Sequence, residues 1–374
     1  MHCASLAPSR NADGKANMQS DEIIISYAGR LFQNVADIQA VASARDDRWK
    51  EQLWSGIEET GLNIAAVPEA LGGAGVGLQG SLGILRVAGS MAISAPLAET
   101  MLAGWMLGAA GLRMPSGQVA FGPTTFSDRL ALSGDAVTGC LTRLPFGREC
   151  AHAALLAGDS EGLSVILVAL EGAAVQPRTS LAYEPVDHVT LSKQRVLATA
   201  RAPKGFTRDT VLLMGSAARA MQIAGALEKV LAITTDYVTQ RRAFERTISR
   251  FQSVQHAVAQ LAGEVAASLS AAASAAEAIH SLLEEQRGFD DTELLLEIIS
   301  AKIRTSLAAH KGAAIAHQLH GAIGVTREHV LHRLTLRALA WRDDYGNDSE
   351  WSERLGELVA ARGAESLWPL LSAR

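Results

Sequence analysis

Apolar residues recur at three- and four-residue spacing from about Asp21: Ile24, Tyr27 and Leu31 lead on to Val35 and Ile38, and Trp54, Ile57 and Leu62 follow. Side chains so spaced share one face of a helix, so the stretch to Leu112 is predicted to be helical. One loop breaks it, from Val67-Pro68-Glu69 to Gly75-Val76-Gly77, where a proline and four glycines oppose a helix before helices resume at Leu78. Between Pro115 and Pro203 the pattern changes. Runs of β-favouring residues, among them Leu163-Ser164-Val165-Ile166-Leu167-Val168-Ala169-Leu170 and His188-Val189-Thr190-Leu191, alternate with turn formers at Ser133-Gly134-Asp135, Gly158-Asp159-Ser160 and Glu171-Gly172. Short strands at this spacing predict a small barrel or sandwich. After Thr210 the helical period returns over Val211 to Thr239, Phe251 to Glu285, Asp291 to His320, Arg327 to Trp341 and Glu350 to Ala361. The alanine-rich Ala266 to Ala278 favours both helix formation and close helix packing.

The predicted organisation is therefore a disordered tail (1–20), an N-terminal helical domain (21–114), a middle β-domain (115–205) and a C-terminal helical bundle (206–374). The tail lacks the basic start and apolar stretch of a secretory signal. Leu82 to Leu112 is the most apolar segment, but Arg86, Pro96 and Glu99 interrupt it, so it is expected to be buried helix and not a membrane span.

Composition narrows the function classes. The 374 residues are 48% hydrophobic and 20% charged, enough apolar material for a globular protein of two or three domains. Lys and Arg number 34 against 39 Asp and Glu, which gives no electrostatic reason to expect nucleic acid or an anionic membrane as partner. Cys3, Cys140 and Cys150 are too few and too scattered for a disulfide framework or a thiolate metal cluster, and a reducing cytoplasm suits them. His317/His320 and His329/His332 have the spacing of one helix face, yet no cysteine cluster or H-E-x-x-H accompanies them, so no metal site is expected. Gly73-x-Gly75-x-Gly77 imitates a dinucleotide phosphate loop, but no strand precedes it and that reading is rejected.

Three segments carry a family resemblance. Tyr237-Val238-Thr239-Gln240-Arg241-Arg242-Ala243-Phe244, with Ile248 and Phe251-Gln252-Ser253-Val254-Gln255, is similar to Y-x-x-x-R-x-x-F-G-x-x-I-x-x-F-Q-x-x-Q, with Glu245 where the pattern has glycine. Gln318-Leu319-His320-Gly321-Ala322-Ile323-Gly324-Val325-Thr326 is similar to Q-x-x-G-G-x-G-x-T, and Pro68 to Gly77 is similar to P-E-x-x-G-G-x-G. Over roughly Asp21 to Ala361 the chain thus resembles the acyl-CoA dehydrogenase superfamily of flavoproteins. The resemblance implies a mostly α fold: an N-terminal helical domain, a middle β-barrel and a C-terminal four-helix bundle. It also implies FAD as cofactor, an acyl-CoA substrate and a homotetramer or a heterotetramer with a paralogous subunit, with electron-transfer flavoprotein as a further partner. Arg241, whose planar guanidinium suits a pyrophosphate, would contact a neighbouring subunit's FAD together with Phe244 and Gln252. The turn Gln318, Leu319, His320, Gly321 and Ala322 would meet its adenosine half.

In this family a carboxylate removes the α-proton of the thioester while the β-hydrogen leaves as hydride to the flavin. Most members carry the glutamate in the loop after the helix that follows the Q-x-x-G-G turn, and a minority near the start of the first bundle helix. Counting along the chain puts Arg342 in the first slot and Gly215 in the second, which leaves Asp343, beside the first, as the candidate catalytic base. Where the family carries Thr-Glu-Pro, the chain has Phe121-Gly122-Pro123-Thr124-Thr125-Phe126-Ser127-Asp128, whereas Leu181 to Val186 is similar to a later family segment. Three readings remain open: an acyl-CoA dehydrogenase, with bulky thioesters among its candidate substrates, a half-site subunit that completes a paralogue's flavin site, and another flavin reaction on the same fold.

Overall fold

The structure is a computed structural model that describes residues 10–43, 47–159, 162–363, 365 and 368–369, so Cys3 lies outside the described residues. Five N-terminal helices come first: α1 (Arg10–Val35), α2 (Ile38–Ser43), α3 (Arg48–Glu59), α4 (Gly77–Ser90) and α5 (Leu97–Ala109). Helix α1 thus begins inside the stretch expected to be a disordered tail, and residues 1–9 are not described. Seven strands follow: β1 (Val119–Gly122), β2 (Arg129–Ser133), β3 (Ala136–Pro145), β4 (His152–Asp159), β5 (Gly162–Ala169), β6 (Ala174–Gln176) and β7 (Val186–Arg201). The remainder is helical apart from one small hairpin: α6 (Thr210–Gln240), β8 (Arg242–Ala243), β9 (Arg246–Thr247), α7 (Gln252–Glu284), α8 (Thr292–His320), α9 (Leu331–Trp341) and α10 (Asp348–Arg362).

The strands close on themselves. β4 pairs with β5, β5 with β7, β7 with β3, β3 with β2 and β2 with β4, while β1 lies parallel on β4 and β6 on β7. The 16-residue β7 serves both β3 and β5, with register shifts that let one strand turn the corner. Alternate residues fill two different cores. Ala153, Leu155, Ala157, Ile166 and Val168 point into the barrel, whereas Ala154, Leu156, Val165 and Leu167 join the helical core outside it. Burial on both faces explains why β5 is a continuous apolar run and not an alternating one.

Helix α6 is the axis of the helical half. By length and apolar composition it would cross a membrane, but its most apolar window is wholly buried in the fold. It crosses α4 at two glycines: a Cβ on Gly89 would lie 2.1 Å from the Gln222 carbonyl oxygen, and one on Gly225 would lie 1.9 Å from that of Arg86. The barrel is pinned to the bundle by the buried ion pair of Arg337 on α9 with Glu184, N to O 2.9 Å. In the loop before α4 Gly73 packs on the loop's own backbone, since a Cβ on it would meet the Val67 carbonyl oxygen at 2.0 Å, whereas Gly72 and Gly77 have nothing within 4 Å of where a Cβ would stand.

Candidate functional site

One position expected to carry a base meets the loop that holds the other. Gly215, in the second turn of α6, faces the loop between α9 and α10, where a Cβ on it would stand 2.2 Å from the ring of Tyr345. The residue opposite Gly215 is therefore Tyr345, three places beyond the counted slot. The backbone after α9 runs on helically for one more turn, with Asp343 N–H on Ala340 O and Asp344 N–H on Trp341 O. Positions 341, 344 and 345 then share the inner face, at i, i+3 and i+4. Asp343, the candidate base, is exposed. Arg342, half-buried, pairs with Asp348 at 3.5 Å.

Tyr345 is 1% exposed and its backbone is left-handed at φ 56°. A non-glycine residue in that region costs of order 1–3 kcal/mol and persists where the surroundings over-determine it. The surroundings here do so. Ser216 Oγ and Trp351 Nε1 each donate to the Tyr345 carbonyl at 3.0 Å. Lys302 Nζ donates to Trp341 O at 2.9 Å and to Asp344 O at 2.7 Å. Asn347 caps α10 through a reciprocal box with Glu350. The Tyr345 ring lies 6.1 Å from that of Phe121, its hydroxyl has no hydrogen-bond partner among the described residues, and burial pushes that hydroxyl well above the usual phenol range.

Behind the ring lies a buried charge network. Arg219 donates to Glu99 Oε1 at 2.5 Å, to Gln222 Oε1 at 2.6 Å and to Asp344 Oδ2 at 2.9 Å. Burial pushes the Glu99 carboxyl up, with Arg219 pulling the other way. Burial also opposes the charge of Arg219, but Glu99 and Asp344 outweigh it and raise its pKa. Lys302, 0% exposed, is lowered to about 7 by burial; a neutral amine still satisfies both of its carbonyls. Asp344, inside the junction, is thus committed to Arg219.

The loop after β1 is likewise closed. Asp128 accepts six hydrogen bonds, from the amides and hydroxyls of Thr124, Thr125 and Thr142. Between this loop and the start of α6 lies a cavity of about 380 Å³ edged by Arg129, Arg208 and Arg354. Arg354 stacks on Phe126 and pairs with Asp209, and Arg129 donates to the carbonyls of Phe126 and Asp128.

The residues expected to hold a cofactor lie at the other end of α6. The hairpin of β8 and β9 turns through Phe244 and Glu245, both at positive φ, and Phe244 is 88% exposed. Arg241 and Gln252 are exposed, and the Arg241 guanidinium has no hydrogen bond or ion pair among the described residues. Gln318, Gly321 and Ala322 are exposed where α8 ends, and Leu319 is half-buried. Gly321, at φ 67°, has nothing within 4 Å of where a Cβ would stand. An unpaired guanidinium, an exposed aromatic ring that meets Phe251 edge to face, two exposed amides and open backbone fit an anionic dinucleotide. His320 does not belong to that surface. It is 4% exposed and stacks on Tyr237, ring centroids 4.4 Å apart and 21° from parallel, because the last turn of α8 directs it back against α6. Tyr237 Oη donates to the His320 carbonyl at 3.2 Å. The sequence pattern does not reveal this pairing across 83 positions.

His317, His320, His329 and His332 form one group around the stack, but no set of three metal-ligating side chains occurs among the described residues. His320 lies 4.8 Å from His329, edge to face, and His317 Nε2 meets Thr335 Oγ1 at 2.8 Å.

Residues 204–348 match the family model for the acyl-CoA dehydrogenase C-terminal domain. The chain is 27% identical over 345 residues to acyl-CoA dehydrogenase FadE27 of Mycobacterium tuberculosis, covering 84% of this chain and 90% of that one. It is 27% identical over 305 residues to acyl-CoA dehydrogenase IpdE2 of the same organism, covering 79% and 83%. Its fold is similar to that of the Tcur3481-Tcur3483 steroid ACAD, with TM-score 0.77, 23% identity, and 92% and 99% of the two chains covered. The ChsE4-ChsE5 complex from Mycobacterium tuberculosis gives TM-score 0.75, 21% identity and 91% and 97% coverage.

Proposed function

We propose that the chain is one subunit of a heteromeric FAD-dependent acyl-CoA dehydrogenase, an oxidoreductase acting on CH–CH groups, a reading supported by the match of residues 204–348 to the acyl-CoA dehydrogenase C-terminal domain and by the 27% identity to acyl-CoA dehydrogenase FadE27. In this reading it completes a flavin site whose catalytic base a paralogous subunit supplies. The observation that carries the proposal is the Tyr345 ring pressed on Gly215. Both positions available to a base lack a carboxylate, and the space between them is filled. Nearby carboxylates do not replace it: Asp343 faces solvent and Asp344 and Glu99 are held by Arg219.

FAD, when bound, supplies the acceptor for the two electrons of the dehydrogenation. This chain's part is binding. Arg241 offers parallel N–H donors to the pyrophosphate, Phe244 an apolar face, and Gln252 and Gln318 amide groups, while Gly321 and Ala322 let the backbone come close. The thioester carbonyl and the α-proton belong to the paralogue's half.

The pairing with an unlike subunit is supported by two similar structures described under paired names, Tcur3481-Tcur3483 and ChsE4-ChsE5. The former is described as a steroid ACAD, and the substrate class proposed is likewise a bulky acyl-CoA. A heterotetramer in the cytoplasm, passing electrons to an electron-transfer flavoprotein, completes the proposal; the free thiols of Cys140 and Cys150 suit that compartment. The test is co-production of the chain with the product of a neighbouring gene that carries an intact glutamate. Flavin retention and anaerobic bleaching by an acyl-CoA are expected of the pair and not of the chain alone. Bleaching by the chain alone overturns the proposal.

A further inference from the structure

We propose that His320 is a positioning residue that joins the α6 hairpin bearing Arg241 and the α8 turn bearing Gln318 into one clamp, acting through its stack on Tyr237. The inference rests on the functional reading above only for the identity of what is clamped. Tyr237 stands one helical turn before Arg241, and His320 stands two residues after Gln318. Their stack and the bond from Tyr237 Oη to the His320 carbonyl are direct ties between these two turns.

The hydrogen bonds assign the imidazole protons. His320 Nδ1 meets the Ala316 carbonyl at 2.8 Å, and a carbonyl only accepts, so Nδ1 carries the proton. Its Nε2 is buried without a hydrogen-bond partner among the described residues. His329 Nδ1 accepts the Leu331 amide at 3.2 Å, so it is bare. Thr335 Oγ1 donates to Leu331 O, so it accepts from His317 Nε2, which leaves His317 Nδ1 bare and buried. A second proton on any of the three would have no acceptor or would face an N–H. The groups facing His320 are Tyr237 from α6, His317 from its own helix and His329 from the following turn. His332 faces His317 and His329 from α9, and no carboxylate pairs with any of these four among the described residues.

Burial lowers His317, His320 and His329 below the usual value, opposed at His320 by its bond to the Ala316 carbonyl and reinforced at all three by neighbouring imidazoles. The open clamp therefore binds more protons than the closed one. The closed state is fully favoured above pH ~6.5, the ordinary histidine value, and weakens as pH falls below it.

The experiment is hydrogen exchange of the amides of Gly321 and Thr326 in the full flavin-free chain at pH 7.5 and 5.5, corrected for intrinsic exchange. Wild type is expected to exchange about tenfold faster at pH 5.5. His320→Phe, which keeps a stacking ring and cannot titrate, is expected to show a smaller acid response, carried by the remaining His317 and His329, and His320→Ala to exchange fast at both values. An unchanged wild-type rate, or an acid response in His320→Phe as large as that of wild type, overturns the proposal. FAD binding to the same proteins together with the paralogous subunit, read by fluorescence quenching, is expected to weaken in parallel. Absence of FAD binding at pH 7.5 overturns the dinucleotide role along with the functional reading, and the exchange data separate that failure from a failure of the coupling.

Discussion

Gly215 and Tyr345 press on each other so closely that neither tolerates enlargement. Gly215→Ala would drive a methyl group to within 2.2 Å of the ring, and overpacking of this kind costs about 1–3 kcal/mol. A fall of about 2 kcal/mol in the urea-unfolding free energy is expected, and an unchanged midpoint would show that the loop yields freely. Asp343 makes the opposite prediction. It is exposed, so Asp343→Asn should leave acyl-CoA-driven bleaching of the assembled enzyme within about twofold, as surface changes away from a site generally do. A loss of tenfold or more would restore Asp343 as the base. At the cofactor end, Arg241→Ala removes charge-assisted hydrogen bonds valued at about 1.5–3 kcal/mol each. FAD affinity measured by quenching should fall about tenfold to a hundredfold while the melting temperature stays put.

At the scale of elements, the loop from α9 to α10 is clamped from within by Lys302 of α8. Its amine, lowered to about 7, regains its ordinary value of about 10.5 on unfolding. Between these values the unfolded chain binds the extra proton, so stability rises with pH there, by at most about 1.4 kcal/mol per unit. Below pH 7 both states are charged and the dependence vanishes. Denaturant titrations from pH 7 to 9 should show a rise in wild type that Lys302→Met lacks; equal slopes would refute the burial argument. The helices themselves were legible from periodicity, with α6, α7 and α8 beginning and ending within one residue of expectation. Helix α9 starts at Leu331 and not Arg327, because the His329 ring caps the Leu331 amide, a side-chain event that spacing does not encode. The residue facing Gly215 escaped counting for a related reason. Counting pointed to Arg342 and its neighbour Asp343, whereas the extra helical turn and the left-handed Tyr345 bring position 345 against Gly215. The Gly346-Asn347 pair ahead of a capping box was the available signal. Arg241 and the Gln318 turn were legible as a long pattern, but the stack of Tyr237 on His320 joins distant positions and left no local trace.

For the whole molecule, the proposed function fixes a stoichiometry. If this chain's own junction is closed by Tyr345, Phe121 and the Arg219 network, the purified assembly should hold one FAD per pair of unlike subunits. Flavin absorbance against protein concentration measures this directly, and a ratio near two per pair would mean that the closed junction opens in the complex. Where such opening could occur is limited by the crossing of α4 and α6. There backbone meets backbone at Gly89 and Gly225, with no side chain between to change rotamer or slide. Packed surfaces of this kind move as units and do not deform gradually. The N-terminal helices and α6 thus form one mechanical block. The barrel joins that block through side chains instead, at Ala154, Leu156, Val165 and Leu167 in the shared core and at the Arg337–Glu184 pair, and a side-chain seam slides where a backbone crossing does not, so motion that admits a ligand is expected at the barrel: the barrel is the door and the helices are its frame.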